Sequence, residues 1–167
     1  MLLRSLSTEL YKGGLMTNQD DSDLFDQKIT PEDHETGWIY VLRSRSDSPQ
    51  VKAIPNLHKI GFTTTTVEER IAGADKQVTY LMAPVEIVAK AKTANLSSHA
   101  LEQVIHAVFE QARLEIEVTD SNGDRKQATE WFSAPWRAIE HAIQLIASGQ
   151  IEFYYYNPKT EEMEFRK

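Results

Sequence analysis

The 167-residue sequence predicts an α+β (mixed α/β) domain in which a small central β-sheet is flanked by helices. Short β-branched and aromatic runs predict the strands, and stretches with apolar residues three and four apart predict the helices. The length suits one domain, since domains usually hold about 100–200 residues. The predicted order of elements is β–β–α–β–α–(hairpin)–α–β.

The start of the chain differs in composition from the rest. Residues 1–36 carry three basic and eight acidic side chains, and a glycine pair, a polar run and a proline interrupt any apolar period. We therefore expect a disordered acidic N-terminal tail, with the end of an upstream domain or a short docking helix as alternatives. Residues 37–158 are the predicted folded domain, and residues 159–167 are a predicted C-terminal tail.

Two strands open the predicted domain. Residues 38–43 (WIYVLR) and residues 58–62 (HKIGF) are rich in β-branched and aromatic side chains, so we expect them to pair across a long polar loop. Alternation puts Lys59 and Gly61 on one face of the second strand and His58 on the other. A lysine beside a glycine in mid-strand lies where the backbone can approach a ligand.

A short helix and a third strand follow. Thr66 and Glu69 match a capping box, which predicts a helix from about Val67 to the region of Gly73. Arg70 lies one turn into this helix, where it is either exposed or reaches back over the sheet. The next segment alternates between apolar and polar side chains, which predicts a strand over 85–93 with Val85, Ile87, Ala89 and Ala91 on one face.

The clearest helix begins at Ser97 or Ser98, where apolar residues recur at helical spacing from Leu101 to Phe109. At 100° per residue, four polar side chains fall along one line beside the apolar stripe: His99, Glu102, His106 and Arg113. Glu102 and His106 are four apart and can touch. The line is either a solvated helix face or one flank of a functional site.

The last third of the chain predicts a hairpin, a helix and a strand. Residues 115–119 and 125–132 flank a good turn sequence. A helix begins near Pro135 and ends at Gly149, and residues 151–156 form the last strand.

Taken in order, these segments resemble the GIY-YIG endonuclease superfamily. The closer resemblance is to its phage-orf or meiotically-up-regulated-gene branch of DNA-binding domains, in which KIG is common in place of YIG. It covers about residues 37–156 and rests on GWIYVL at 37–42, KIGFT at 59–63, Glu69-Arg70, LExxIHxxF at 101–109 and EWF at 130–132.

The resemblance implies roles for the matching residues. Tyr40 corresponds to the tyrosine that helps to activate water, Arg70 to the arginine that neutralises the scissile phosphate, and Glu102 to the glutamate that holds a single Mg²⁺ or Mn²⁺. His106 belongs to the pattern of this branch and assists proton transfer or binds phosphate. Lys59 replaces the second tyrosine and is either the base, once neutral, or a phosphate contact. The expected nucleic-acid contacts are Lys59, Arg70, His99 and Arg113.

These residue types suit the hydrolysis of a phosphodiester. Negative charge accumulates on the phosphate oxygens, and an arginine and a metal ion can offset it. Magnesium keeps several waters, so one carboxylate can suffice. A tyrosine, with a pKa of about 10, is a poor base at neutral pH unless nearby positive charge favours the phenolate. The same positive charge would lower the pKa of Lys59.

Three functions stay open. The first is a metal-dependent endonuclease that cuts DNA rather than RNA, and the second is a DNA-binding module of the same fold that no longer cuts. The third is a protein-interaction domain, supported by the acidic tail and by the tyrosines at 154–156. The net charge of −7 argues against sequence-independent binding of nucleic acid, but most of it lies in residues 1–36, so the remainder can still carry a basic cleft.

Composition excludes several kinds of site. The chain has no cysteine, which rules out disulfides, thiolate zinc sites, iron–sulfur clusters and a cysteine nucleophile. Its apolar runs are too short for a membrane span, and its first residues are a poor secretory signal. We therefore expect a cytoplasmic location and no membrane partner, and the sequence does not fix the oligomeric state.

Overall fold

The computed structural model describes residues 15–17, 35–94 and 98–167, and it confirms the α+β fold. The strands in these ranges are β1 (Leu15–Thr17), β2 (Glu35–Ser44), β3 (Leu57–Thr63), β4 (Val85–Ala94), β5 (Arg113–Thr119), β6 (Arg125–Ser133), β7 (Tyr154–Asn157) and β8 (Glu162–Phe165). The helices are α1 (Pro49–Lys52), α2 (Val67–Ile71), α3 (Ser98–Val108) and α4 (Trp136–Ala147). Short 3₁₀ turns lie at Ala74–Lys76, Val78–Tyr80, Glu110–Ala112 and Ile151–Phe153.

The strands form two antiparallel sheets. The larger sheet has the order β1-β4-β2-β3-β6-β5, and β7 pairs with β8 in the smaller one. β2 and β3 form the predicted hairpin, with Tyr40 opposite Gly61 and Leu42 opposite Lys59. Because side chains alternate along a strand, this register puts Tyr40, Gly61 and Lys59 on one face of the sheet.

Helices α3 and α4 and the β7–β8 hairpin cover the other face. Leu101 of α3 and Ile139 of α4 pack with Ile39, Ile60 and Phe132 of the sheet in one buried core. The predicted apolar stripe of α3 is therefore its buried side. Burying a side chain of this size contributes about 1.5–3 kcal/mol, so the core fixes the helix that carries Glu102 against the sheet.

Shorter segments cover the face that carries Tyr40. Val67 of α2 and Tyr80 of a 3₁₀ turn pack against Tyr40 in a second core cluster. The indole Nε1 of Trp131, a fully buried residue, donates to the carbonyl of Thr79 at 3.0 Å and ties this turn to β6. This layer has no long helix, because it is built from the β2–β3 and β3–β4 connections.

A β-bulge changes the faces of β4. Val41 pairs with Ala89 but Leu42 pairs with Ile87, so β4 has one residue more than β2 at this point. As a result Ala91 packs in the helical core while Ile87 packs on the opposite face. The prediction that one face carries Val85, Ile87, Ala89 and Ala91 is therefore wrong.

Some predicted boundaries also differ. The polar loop between the first two strands contains α1, and residues 151–153 form a 3₁₀ turn before β7 begins. Residues 159–167 contain β8, whose Met163 is buried in the helical core, so this segment is part of the domain instead of a tail. Within residues 1–36, β1 pairs with β4, and β2 begins at Glu35; the rest of the predicted tail lies outside the described residues.

The C-terminal hairpin has one buried face. Tyr156 packs in the helical core, while Tyr155 on the other side is 41% exposed. This pattern is that of a hairpin strand with one face buried, and it needs no partner protein to explain it. In the ranges that the structure describes, no helix is long and apolar enough to cross a membrane.

His58 is buried on the helical side of β3, as alternation predicts. Its Nδ1 lies 2.8 Å from the carbonyl oxygen of Ala134 and 3.0 Å from that of Asn56, and its Nε2 has no hydrogen-bond partner among the described residues. Burial lowers the pKa of His58 below its usual value of 6.5. The ring is therefore neutral at pH 7 and donates from Nδ1.

We expect His58 to make the fold sensitive to acid. A lowered folded-state pKa means that the unfolded chain binds more protons below about pH 6.5, so stability is present above that pH and is lost as the pH falls through the folded pKa. The free energy of unfolding, measured in urea at pH 7 and pH 5, should fall less in His58→Gln than in the wild type. The exposed His141→Gln is the control, and an equal pH dependence in His58→Gln would contradict the prediction.

Candidate functional site

Tyr40 and Gly61 form the floor of the candidate site. The phenol of Tyr40 lies across Gly61, where an added Cβ would sit 2.5 Å from both Cζ and Oη of Tyr40. Real Cβ atoms do not approach that closely, so the glycine leaves the space that the phenol occupies. The space above Gly61, where the sequence predicts that a ligand can approach the backbone, is therefore occupied by the Tyr40 side chain.

Lys59 is buried in the middle of this face, with a side-chain exposure of 1%. Its Nζ donates to Oε2 of Glu130 at 2.7 Å. Burial lowers the pKa of Lys59, while the carboxylates of Glu130 and Glu102 act in the opposite direction and Arg70 adds to the lowering. The predicted lowering of the Lys59 pKa is therefore confirmed, but its main cause is burial and not the guanidinium of Arg70.

Glu130 is a site residue that the sequence analysis did not assign. Leu114 pairs with Trp131 but Ile116 pairs with Ala128, so β6 bulges and Glu130 sits in the widened part of the ladder. Burial raises the pKa of Glu130, but the Lys59 side chain, His106 and Arg113 together outweigh it and hold the pKa below the usual value. Nζ of Lys59 and Oε2 of Glu130 form a salt bridge, and Glu130, with 39% exposure, is its solvent-facing end.

Arg70 reaches back over the sheet, one of the two positions that the sequence allows. Its helix begins as the capping box predicts, since Oγ1 of Thr66 accepts from the backbone N–H of Glu69. The half-buried guanidinium lies with its Cζ 5.3 Å from the ring centroid of Tyr80, and its charge acts on both Tyr40 and Lys59.

Tyr80 is the second residue that the sequence analysis missed. It is fully buried, and its hydroxyl donates to the carbonyl of Arg70 at 3.3 Å. It also packs with Tyr40 in one core cluster, and its ring centroid lies 5.7 Å from Nζ of Lys59. Tyr80 thus contacts three of the predicted site residues.

Helix α3 brings Glu102 and His106 to the edge of β3. Both side chains are half-buried, and the charge of Glu102 reaches Lys59. Nε2 of His106 lies 3.2 Å from the carbonyl oxygen of Ile60 and donates to it, and the ring packs against Phe132. β6 pairs with the first three residues of β3, so the Ile60 carbonyl lies just beyond that ladder.

Arg113 stands apart from the helix that carries Glu102. The prediction that Arg113 continues the polar line of the helix is wrong, because α3 ends at Val108 and Arg113 begins β5. Its Nε donates to the carbonyl of Thr129 at 2.7 Å, and its charge still reaches Glu130. His99 belongs to α3, but its side chain lies outside the described residues.

Tyr40 is a neutral phenol in this site. Burial is the largest cause that raises its pKa above the usual value of 10, and the hydrogen bond with Tyr80 adds to the rise, while Arg70 opposes it. The positive charge of Arg70 favours a phenolate, but the effect of burial on the Tyr40 pKa is larger. Tyr40 can still orient a water molecule through its oxygen.

The donor set fits a magnesium ion held by one carboxylate. No three His, Cys, Asp or Glu side chains in the described ranges are placed to hold a metal together, so a closed multi-ligand centre is absent there. Glu102 is half-buried and close enough to Lys59 for its charge to be felt at the floor of the site. An oxygen ligand with room for water around it is the environment that Mg²⁺ accepts.

We expect Gly61→Ala to displace Tyr40. The new methyl group overlaps Cζ and Oη, and overpacking of this kind costs about 1–3 kcal/mol in unfolding free energy. In a Tyr40→Leu background the ring atoms that collide are gone, so the same substitution should cost much less. Urea unfolding of the two single variants and the double variant measures this coupling. Equal costs in both backgrounds would show that the phenol does not fill the space above Gly61.

Comparison with known proteins identifies relatives of the chain. The family model of the T5orf172 domain matches residues 37–147, the range that holds all the site residues described above. An uncharacterized protein, YeeC of Bacillus subtilis (strain 168), is 45% identical over 146 residues, which is 87% of this chain. The chain spans 38% of the length of that relative. No solved structure matches.

Proposed function

Since this chain belongs to the T5orf172 domain family, a phage-orf-type domain related to nuclease-associated families, we propose that it is a metal-dependent endonuclease that hydrolyses phosphodiester bonds in DNA. The proposal includes membership of the GIY-YIG superfamily, in the variant in which KIG replaces YIG. Because the chain spans only part of its longer relative, the proposal concerns this domain and not the activity of a longer protein.

One observation carries the proposal. Three charged side chains that are distant in sequence act on the amine of Lys59: those of Arg70, Glu102 and Glu130. Arg70 and Glu130 also act on the phenol of Tyr40. Such a mixture of buried and half-buried charged groups with a phenol costs folding free energy, which is typical of sites shaped for chemistry.

The two cations suit a phosphate. Arg70 is half-buried and presents a planar set of N–H donors, which can offset the charge that develops on the phosphate oxygens. Lys59 lies against the same Tyr80 ring as Arg70, and its Nζ donates to Glu130. This ion pair favours the second of the two predicted roles for Lys59, a positive charge beneath the phosphate and not a neutral base.

Tyr40 orients the attacking water. Its oxygen lies over Gly61, where the charges of Arg70 and Glu130 act on it, and as a neutral phenol it can accept a hydrogen bond from water. A water molecule held in line with the phosphorus atom reacts faster because its orientation is already set.

Glu102 is the residue that would hold Mg²⁺ or Mn²⁺. When bound there, the ion supplies a positive charge that polarises the phosphate. His106, four residues further along α3, donates to the backbone of β3 and so anchors the turn that carries Glu102. We therefore assign His106 a positioning role in place of proton transfer.

A second candidate is a DNA-binding module that does not cut. The observation that favours it is burial: Lys59 and Tyr40 are 1% and 2% exposed, so a substrate must reach them through the half-buried rim of Arg70, Glu102 and Glu130. Such a module would bind through the rim, and its affinity would fall with salt.

Nicking of supercoiled plasmid separates the two candidates. The purified full chain is incubated with plasmid and Mg²⁺ or Mn²⁺, with EDTA in a parallel reaction, and DNA binding is measured by gel shift across a salt series. We expect conversion to the open-circular form with either metal and none with EDTA. Salt-sensitive binding without conversion would support the binding module, and neither binding nor conversion would refute both.

A further inference from the structure

A tryptophan and two lysines lie beside the site on the same face of the sheet. Tyr40 pairs with Lys90 of β4, and Trp38, two residues earlier on β2, pairs with Lys92. Paired residues of neighbouring strands project from the same face, so both lysines lie on the face that carries Tyr40. Trp38 packs against the core cluster that contains Tyr40, as this register requires. These three side chains, Trp38, Lys90 and Lys92, are named the lysine strip.

The indole ring of the lysine strip gathers its two ammonium groups. Nζ of Lys90 and Nζ of Lys92 lie 5.3 and 5.6 Å from the ring centroid of Trp38, within the range of about 6 Å over which a ring attracts a cation. All three side chains are half-buried. A lysine stem held in this way loses less rotamer entropy when its ammonium binds an anion.

One carboxylate already contacts the lysine strip. Oε1 of Glu68, in the first turn of α2, lies 2.7 Å from Nζ of Lys90. The Lys90 side chain is 18% exposed and that of Glu68 is 58% exposed, so the carboxylate meets the ammonium from the solvent side. A pair with one exposed partner contributes little to stability, and another anion can take the place of Glu68.

We propose that the lysine strip binds the phosphate backbone of DNA next to the site, with Glu68 occupying the place of a phosphate in the free protein. β4 lies about 4.8 Å from β2, so a nucleic-acid strand held at Tyr40 has further phosphates within reach of Lys90 and Lys92. An ammonium is a point charge, so these contacts add affinity without reading sequence. The inference rests on the proposed function for the identity of the polymer.

Binding is tested without cutting, by the fluorescence anisotropy of a labelled DNA duplex in EDTA over a range of salt concentrations. Lys90→Gln, Lys92→Gln and Glu68→Gln each remove one charge at the lysine strip. Lys126→Gln is the matched control, because Lys126 is exposed and lies on β6, with β2 and β3 between it and β4. Circular dichroism establishes that each variant is folded.

We expect Lys90→Gln and Lys92→Gln each to raise the Kd for DNA about five- to tenfold at about 0.1 M salt, and to lower the slope of log Kd against log salt by about 1. Lys126→Gln should keep the wild-type slope, because salt screens a charge outside the contact. Lys90→Arg keeps the charge and should keep the wild-type slope as well.

Glu68→Gln should act in the opposite direction. It removes the carboxylate that competes with the phosphate for Lys90, so the Kd should fall by about two- to fivefold. If the ion pair served only to hold α2 over the sheet, the same substitution would weaken binding. The sign of the change therefore separates a DNA contact from a structural role.

Two results would overturn the inference. One is a Kd and a salt slope in either lysine variant equal to those of Lys126→Gln, and the other is a Kd in Glu68→Gln equal to or above that of the wild type. If the wild type binds DNA without nicking it, the endonuclease proposal fails, and the same comparison of Kd values still decides the role of the lysine strip. A wild type that does not bind DNA refutes both.

Discussion

Glu102→Gln should reduce Mg²⁺-dependent nicking by about 100-fold or more. Glutamine has the shape of glutamate but a neutral amide, and hard cations such as Mg²⁺ prefer a charged carboxylate oxygen. With one carboxylate predicted to hold the ion, no second ligand in the site compensates for its loss, and the charge that polarises the phosphate is lost with the ion. The measurement is the initial rate of nicking over a range of Mg²⁺ concentrations.

A matched control separates this effect from a change in overall charge. Glu117 lies on β5 with half of its side chain exposed, and Glu117→Gln removes the same unit of charge outside the site. We expect Glu117→Gln to nick at the wild-type rate. If Glu102→Gln nicked at that rate too, Glu102 would not hold the ion, or the nicking would come from a contaminating enzyme.

The second large effect is on stability. Glu130→Ala should lower the free energy of unfolding by about 3 kcal/mol, because it leaves the ammonium of Lys59 buried without its partner. The partial exposure of Glu130 does not reduce this cost, because the charge left without a partner is that of Lys59, whose side chain is 1% exposed. Replacing both residues, Lys59→Met with Glu130→Leu, removes the charge and should restore most of the loss.

The ion pair between Lys90 and Glu68 provides the control. Its Nζ–Oε1 distance is also 2.7 Å, but Glu68 is 58% exposed and lies at the surface. Glu68→Ala should therefore cost no more than about 1 kcal/mol. Urea unfolding of the four proteins at pH 7 makes the comparison. Equal losses in Glu130→Ala and Glu68→Ala would mean that burial of Lys59 does not make its charge costly.

The sequence predicted those elements whose signal is local. The strand that carries Tyr40, the capping box that starts α2 and the apolar stripe of α3 are each readable within about ten residues, and each is confirmed. The alternation of side chains along a strand also predicted correctly that Lys59 and His58 lie on opposite faces of the sheet. These features depend on neighbours along the chain, so no knowledge of the tertiary fold was needed.

The rest depended on distant partners. Glu130 reaches Lys59 across 71 residues from the part of β6 where the register shifts, and the bulge in β4 turns Ile87 away from Ala91. Tyr80 lies in a 3₁₀ turn, which has no periodic signature, and its partners become visible only when that turn folds onto the sheet. The roles of Tyr40, Arg70 and Glu102 stay predictions, because they came from a resemblance and no contact by itself shows a reaction.

The central claim is that these side chains form one site. Its most direct test is the rate of Mg²⁺-dependent nicking by Arg70→Ala, Glu102→Gln and the double variant. Residues that act as a unit give effects that do not add, so we predict that the double variant is about as slow as the slower single variant. Losses that multiply, or single variants as fast as the wild type, would contradict a shared site.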